Sequence, residues 1–374
     1  AGMNDVPLTG DKLEAAKKLL QESLEQGAAG FATGLSYYPN SWSDTDELCA
    51  LMEVTGECDK PMSIHLRNHN GDRAFGGGGV PEAIEVARRT GTKLHFEHYR
   101  TFVNSAGNID ELMEPIDKAK SEGVDITLET YPYPVGSSFP QAFFPGYFHE
   151  GGPEEMLKIL NDEDKRAELI DRMSEISYTP PEGNVWTHIG AGGENDYEGW
   201  MFEDVAKEWG ITVQEMMTRM MAETSLACGM RVAPPGNVRQ WRQVEEDVMQ
   251  LMARPDYMVG SDSIPVGGMP HPRAYGCFVR MLGRLRRRHN YPVEQVVQRM
   301  TQNPAKRFGL ADRGVIAKGK FADLVIFDEQ NVIDRSSFED PKMHPEGVPF
   351  VLVNGKFAVE NEAVTGVLAG QAIP

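Results

Sequence analysis

Four polar side chains fall where short apolar runs end: His65 after Met62-Ser63-Ile64, His98 after Lys93–Glu97, Tyr131 after Val124–Thr130, and Asp262 after Tyr257–Ser261. Two imidazoles and a carboxylate are the parts of metal-assisted hydrolysis. Neutral imidazole is a good ligand for Zn2+, and two or three protein ligands leave a position for water. A bound metal brings the pKa of that water toward neutrality and polarises a carbonyl. A neighbouring carboxylate can accept the proton and hand it to a leaving amine, and Asp262 has the right type and place. One such histidine means little, because a lone strand histidine is often a satisfied structural residue. Four polar strand ends in series carry the argument. His95 lies three residues before His98, which on a regular strand turns it to the opposite face, packed against a helix.

Helical and extended patterns alternate around these residues. Leu13, Ala16, Leu20 and Leu24 repeat at helical spacing and Gly27 supplies a stop. A short apolar run covers 28–35. Ser43 is placed to cap the next helix, and Pro81 opens another through Arg89. Residues 109–122 read as helix before Gly123. Strands separated by helices of this size imply parallel βαβ units. In an α/β barrel the strand C-termini open on one face, where the site is built. The rhythm breaks over 132–255, a long excursion with several helices and one extended piece, Val185–Ile189, and resumes at Tyr257. Helices are expected over about 273–288 and 292–307. From about 314 the chain becomes a small β module, with strands at Phe321–Phe327 and Pro349–Val353 and an Asn354-Gly355 hairpin turn. The glycines Gly76–Gly79 lack the Lys-Ser/Thr of a phosphate loop and read as a flexible surface loop.

The chain has 374 residues, 40% hydrophobic and 25% charged, with a formal net charge of −19. That charge argues against nucleic acid and anionic membrane surfaces as partners, although a pocket can still carry local arginine. No apolar run approaches a membrane span, and no signal peptide is evident. Cys49, Cys58, Cys228 and Cys277 lack Cys-x-x-Cys spacing and suggest reduced thiols in a cytoplasmic protein. The opening Ala1-Gly2-Met3 is read as a processed, trimmed or fragmentary start.

Several stretches together resemble the D-aminoacylase (N-acyl-D-amino-acid deacylase) branch of the amidohydrolase superfamily, over nearly the whole chain. They include residues 27–35 (GAAGFATGL), His65-Leu-Arg67, Phe96-Glu-His98, Glu129-Thr-Tyr-Pro-Tyr133, Gly260-Ser-Asp262 and residues 270–276 (PHPRAYG). Asn303-Pro-Ala305, residues 319–327 (GKFADLVIF) and Val353-Asn-Gly355 are less specific.

The resemblance implies an α/β fold, a (β/α)8 TIM-type barrel lacking its first strands. Residues 1–313 would supply strands four to eight with the insertion at 132–255, and 314–374 a small β-sandwich. It implies Zn2+ held by His65 and His98, and Asp262 as general base and acid. Arg273 would grip the substrate carboxylate, with Tyr131 and Ser137 holding that carboxylate or the reacting carbonyl. His271 is expected to shape the loop. The implied reaction is hydrolysis of the amide bond of a small N-acyl-D-amino acid. The family's His-x-His and cysteine ligand are absent from this sequence. The run Phe31–Leu35 also lacks the lysine that hydantoinase and dihydroorotase relatives carboxylate. A cyclic-amide hydrolase and a truncated non-catalytic relative are the rival readings. A barrel missing strands would expose an apolar edge, so self-association is expected.

Overall fold

The computed structural model describes residues 1–173 and 181–373; part of the insertion expected at 132–255 therefore lies outside the described residues. Five short strands form one parallel sheet: β1 (Phe31–Gly34), β2 (Met62–His65), β3 (Leu94–Phe96), β4 (Ile126–Thr130) and β8 (Tyr257–Val259), in the order β1-β2-β3-β4-β8. Between β4 and β8 in the chain lie β5 (Ser137–Ser138), β6 (Asn184–Ile189) and β7 (Cys228–Val232), a separate antiparallel sheet in the order β5-β7-β6. The last 50 or so residues hold a third, antiparallel sheet of β9 (Leu324–Ile326), β10 (Phe350–Val353), β11 (Lys356–Glu360) and β12 (Ala363–Val364).

The period-2 alternation of the parallel strands sorts their side chains. Met62, Ile64, Leu94, Phe96, Ile126 and Leu128 are buried against the helices, in the main hydrophobic core. Ser63, His95 and Thr127 are register partners on the other face. The insertion has its own core, built from residues such as Phe148, Trp186, Phe202 and Met217. It is thus a second packed body above the strand ends.

Most expected elements form, with local differences that have physical causes. The helix Thr45–Glu57 is capped by Asp44, whose carboxylate accepts from Glu47 N at 2.8 Å; Ser43 instead donates to the Asn40 carbonyl at 2.7 Å. The glycine run is a built feature rather than a flexible loop. Phe75–Gly77 makes one 3-10 turn, and helix Gly79–Thr90 follows directly. Gly78 has φ 91°, and a Cβ there would stand 2.9 Å from Arg67 Cδ, so the glycine makes room for a buried arginine. Strand β7 was not expected: Cys228-Gly-Met-Arg-Val232 carries no clear alternation, and all but its last residue is buried. At the Asn354-Gly355 turn both residues have positive φ, 50° and 78°, as a type I′ hairpin requires. The helix Arg273–Arg280 runs into a π-turn, Met281–Leu285, before Arg286–Arg288.

Candidate active site

The C-terminal ends of the parallel strands bring His65, His98, Tyr131, Asp262 and Arg273 together. His65 is the last residue of β2, and its Nδ1 lies 2.7 Å from Nε2 of His98. His98 stands two residues past β3 with φ 35°, and Asp262 three past β8 with φ 46°. Both are in the left-handed region, uncommon for residues with a Cβ, and the kink ends the strand alternation at each site. That kink also explains His95. Because His98 is off the strand, the two do not stand on opposite faces by simple alternation. His95 faces with Ser63 and Thr127, its Nδ1 2.9 Å from Thr127 Oγ1 and its Nε2 3.5 Å from Glu129 Oε2. Its ring meets Phe308, at the end of helix Gln302–Arg307, edge-on at 5.4 Å.

Glu97 is the residue that sequence reasoning passed over. It accepts from Ser63 Oγ at 2.6 Å, and one ligand atom each of His65, Glu97 and His98 lie within 4.8 Å of one another. The Phe96-Glu-His98 motif contained the signal, but a carboxylate next to a ligand on a strand is expected to point away. Burial holds both imidazoles neutral: it lowers His65 to about 4, with His98 adding to the effect, and lowers His98 to about 4. Neutral rings are the form that ligates a metal. Burial raises the Glu97 carboxyl, and the bond from Ser63 opposes it. Two imidazoles and a carboxylate are a donor set suited to Zn2+.

Arg273 is fully buried, and its Nη1 lies 2.8 Å from Asp262 Oδ2, whose side chain stays one-third exposed. Burial raises the Asp262 carboxyl and Arg273 opposes that rise. The Arg273 guanidinium sits 4.6 Å above the Tyr131 ring, and Arg100 lies 4.3 Å from the same ring. Tyr131 in turn is 6.5 Å from the His98 ring. Ser137 is reached through its backbone, its carbonyl accepting from Arg273 Nη2 at 3.4 Å, while its hydroxyl donates to the Met230 carbonyl at 2.7 Å. His271, wholly buried, accepts at Nδ1 from Arg273 N at 3.1 Å and faces the Val135 carbonyl with Nε2, also at 3.1 Å. It locks the turn that presents Arg273. Tyr37 covers the other side of His65, with ring centroids 5.1 Å apart.

Outside the strand ends, the four cysteines are unpaired. No helix among the described residues is long and apolar enough to cross a membrane.

Comparison with known proteins follows the same lines. Residues 207–359 match the model of the "Amidohydrolase family". The chain is 32% identical to an N-acyl-D-glutamate deacylase of Alcaligenes xylosoxydans xylosoxydans, over 91% of this chain and 60% of that protein. It is 27% identical to a D-aminoacylase of the same organism, over 98% of this chain and 65% of the other. The crystal structure of the N-acyl-D-glutamate deacylase from Bordetella bronchiseptica was solved with zinc and a phosphonate that mimics the tetrahedral intermediate. It superposes with a TM-score of 0.73 at 29% identity, covering 95% of this chain and 64% of that one. The chain thus spans less than two thirds of the length of these relatives. These likenesses are to N-acyl-D-amino-acid deacylases, the D-aminoacylase branch of the amidohydrolase superfamily.

Proposed function

We propose that this protein hydrolyses the amide bond of N-acyl-D-amino acids, releasing a carboxylate and a D-amino acid. The observation that carries the reading is the meeting of His65, His98 and Asp262, with Arg273, at one mouth of the parallel sheet. His65 and His98 would hold Zn2+, with Glu97 completing the set from this chain. Zinc bound there supplies a polarised carbonyl and a water acidic enough to deprotonate near neutrality. Asp262 stands where it can take the proton of the attacking water and return it to the leaving nitrogen, and burial makes it a stronger base than an exposed aspartate. Arg273 offers a planar fork to the substrate's free carboxylate, with Tyr131 beneath the fork and Ser137 beside it. Fixing that carboxylate and the acyl carbonyl sends the side chains of the two enantiomers in opposite directions, so room on one side and a wall on the other would read the D configuration. The insertion above the strand ends is placed to exclude water. We read the parallel sheet as part of a (β/α)8 barrel, and the tail from 314 as a separate β module. The unpaired thiols support a cytoplasmic setting.

The experiment is to supply the purified chain with Zn2+, assay N-acetyl-D-amino acids against their L enantiomers and against hydantoins, and measure bound metal. Release of D-amino acids alone with about one zinc per chain is expected. Turnover confined to hydantoins, or a chain that retains no metal, would sink the reading.

A further inference from the structure

A second concave site lies away from the strand ends. It is a cavity of about 510 Å³ between helix Val238–Ala253, helix Arg273–Arg280 with its π-turn extension, and the loop that carries Phe338. One wall is apolar and aromatic. Trp241 and Phe338 meet at 75° with ring centroids 5.9 Å apart, and Pro235 fixes the indole by accepting from its Nε1 at 3.0 Å. The rest of the lining is basic, with Arg242, Arg280, Arg284 and Arg288, the Arg280 guanidinium 5.7 Å from the Trp241 ring.

The acids that balance these arginines stand behind them. Glu245 is 5% exposed and receives Arg242, Arg280 and Arg288; Asp334 is 1% exposed and receives Arg280 and Arg284. The side chains of Arg242, Arg284 and Arg288 remain 53%, 39% and 34% exposed. A ligand entering the cavity therefore meets guanidinium edges first, with the carboxylates screened behind them; Glu339 is the one acid among the lining residues that is exposed. In a chain of net charge −19 the long-range field repels anions, so a positive face of this kind has to be built locally.

We propose that this cavity binds a small planar organic anion, an aromatic carboxylate or phosphate ester, with its ring against Trp241, which Phe338 backs, and its charge on Arg284 and Arg288. Guanidinium forks and an indole face are the chemistry that recognises such a molecule, and the volume is that of a small-ligand site. The site also leans on the substrate grip. Pro272 lines it, immediately before Arg273, and the Pro272 carbonyl accepts from Ser336 at 3.0 Å. Arg280 donates to the Pro132 carbonyl at 3.1 Å, next to Tyr131. An occupant would bear on both residues that frame the carboxylate pocket, which is the position of an effector.

The test is a tryptophan-fluorescence titration of the full chain with phenylacetate, phenyl phosphate and the uncharged 2-phenylethanol. Saturable quenching by at least one anion with Kd below about 1 mM, and none by the alcohol, is expected; the stronger of the two anions identifies the head group. Trp241→Phe should abolish the quench. Arg284→Gln and Arg288→Gln, both at part-exposed positions, should each weaken binding about ten-fold with unchanged melting temperature. Asp262→Asn should leave the titration as it was. Absence of saturable quenching, equal binding of the alcohol, unaltered affinity in both arginine variants, or loss of binding in Asp262→Asn would each overturn the proposal.

Discussion

Two buried arginine–carboxylate pairs lie close to the strand ends, and they are finished differently. Arg67, two residues past β2, gives its Nε to Glu82 at 2.7 Å, its Nη1 to the Ser41 carbonyl at 2.7 Å and its Nη2 to the Ser43 carbonyl at 2.9 Å. Glu82 also receives Thr45 at 3.0 Å, and neither partner's side chain meets solvent. Arg273 is equally buried, but its carboxylate partner is one-third exposed and its Nε has no hydrogen-bond partner. A buried donor without a partner costs about 1–3 kcal/mol, more for a charged group; Arg100, whose guanidinium lies over the same Tyr131 ring, also has unpartnered donors, at Nε and Nη2. The closed pair fastens a loop to a helix. The open one holds donors ready for something that arrives.

That contrast can be broken in several ways. The largest effect is expected from Asp262→Asn, which should lower kcat roughly 1,000-fold while zinc content, measured by atomic absorption, stays the same. Normal turnover would remove Asp262 from the chemistry. Next come the two arginines, compared directly. Arg67→Met should cost about 3–5 kcal/mol in urea unfolding, because it strands Glu82 in the interior. Arg273→Met should cost less than about 1 kcal/mol of stability, since Asp262 can turn to water, yet lower kcat/KM about 100-fold. Equal stability losses in the two variants would erase the distinction between them.

A third prediction concerns pH and a histidine away from the strand ends. Burial holds His149 at about 4, and its ring stacks on Tyr38 at 4.3 Å. The unfolded chain takes up the proton near pH 6.5, the folded one only near 4, so this contribution is intact above 6.5 and is lost as pH falls toward 4. The loss from His149 is about 3 kcal/mol; His65 and His98, also held at about 4, lose stability over the same range, so urea unfolding should fall less steeply in His149→Gln than in the unmodified chain, by that amount. The smallest effect belongs to the cap: Asp44→Ala should cost about 1 kcal/mol in thermal unfolding. A silent Asp44→Ala would mean that helix Thr45–Glu57 is held by packing alone.

Legibility in the sequence followed the range of the interactions. The five parallel strands were readable because apolar runs, helix stops and turn residues are local, and so was the hairpin at Asn354-Gly355. The convergence of His65, His98, Tyr131 and Asp262 followed from strand direction. The cap shifted from Ser43 to Asp44 because competition among neighbouring hydroxyl and carboxylate acceptors is settled by backbone angles. Glu97 and the facing of His95 were hidden by the turn in the chain at His98, which no residue pattern announces. Strand β7 was missed because its edge partners, β5 and β6, are distant in sequence and its residues are buried irrespective of parity.

The left-handed turns at His98 and Asp262 have a further consequence for anyone who wishes to move this chemistry elsewhere. Copying the side chains onto straight strand ends of another scaffold would aim them along the strands rather than across the mouth. Asparagine and aspartate tolerate that backbone best, whereas valine or isoleucine would resist it. A transplant, or a mutagenesis library at these two positions, has to carry the bend as well as the functional group.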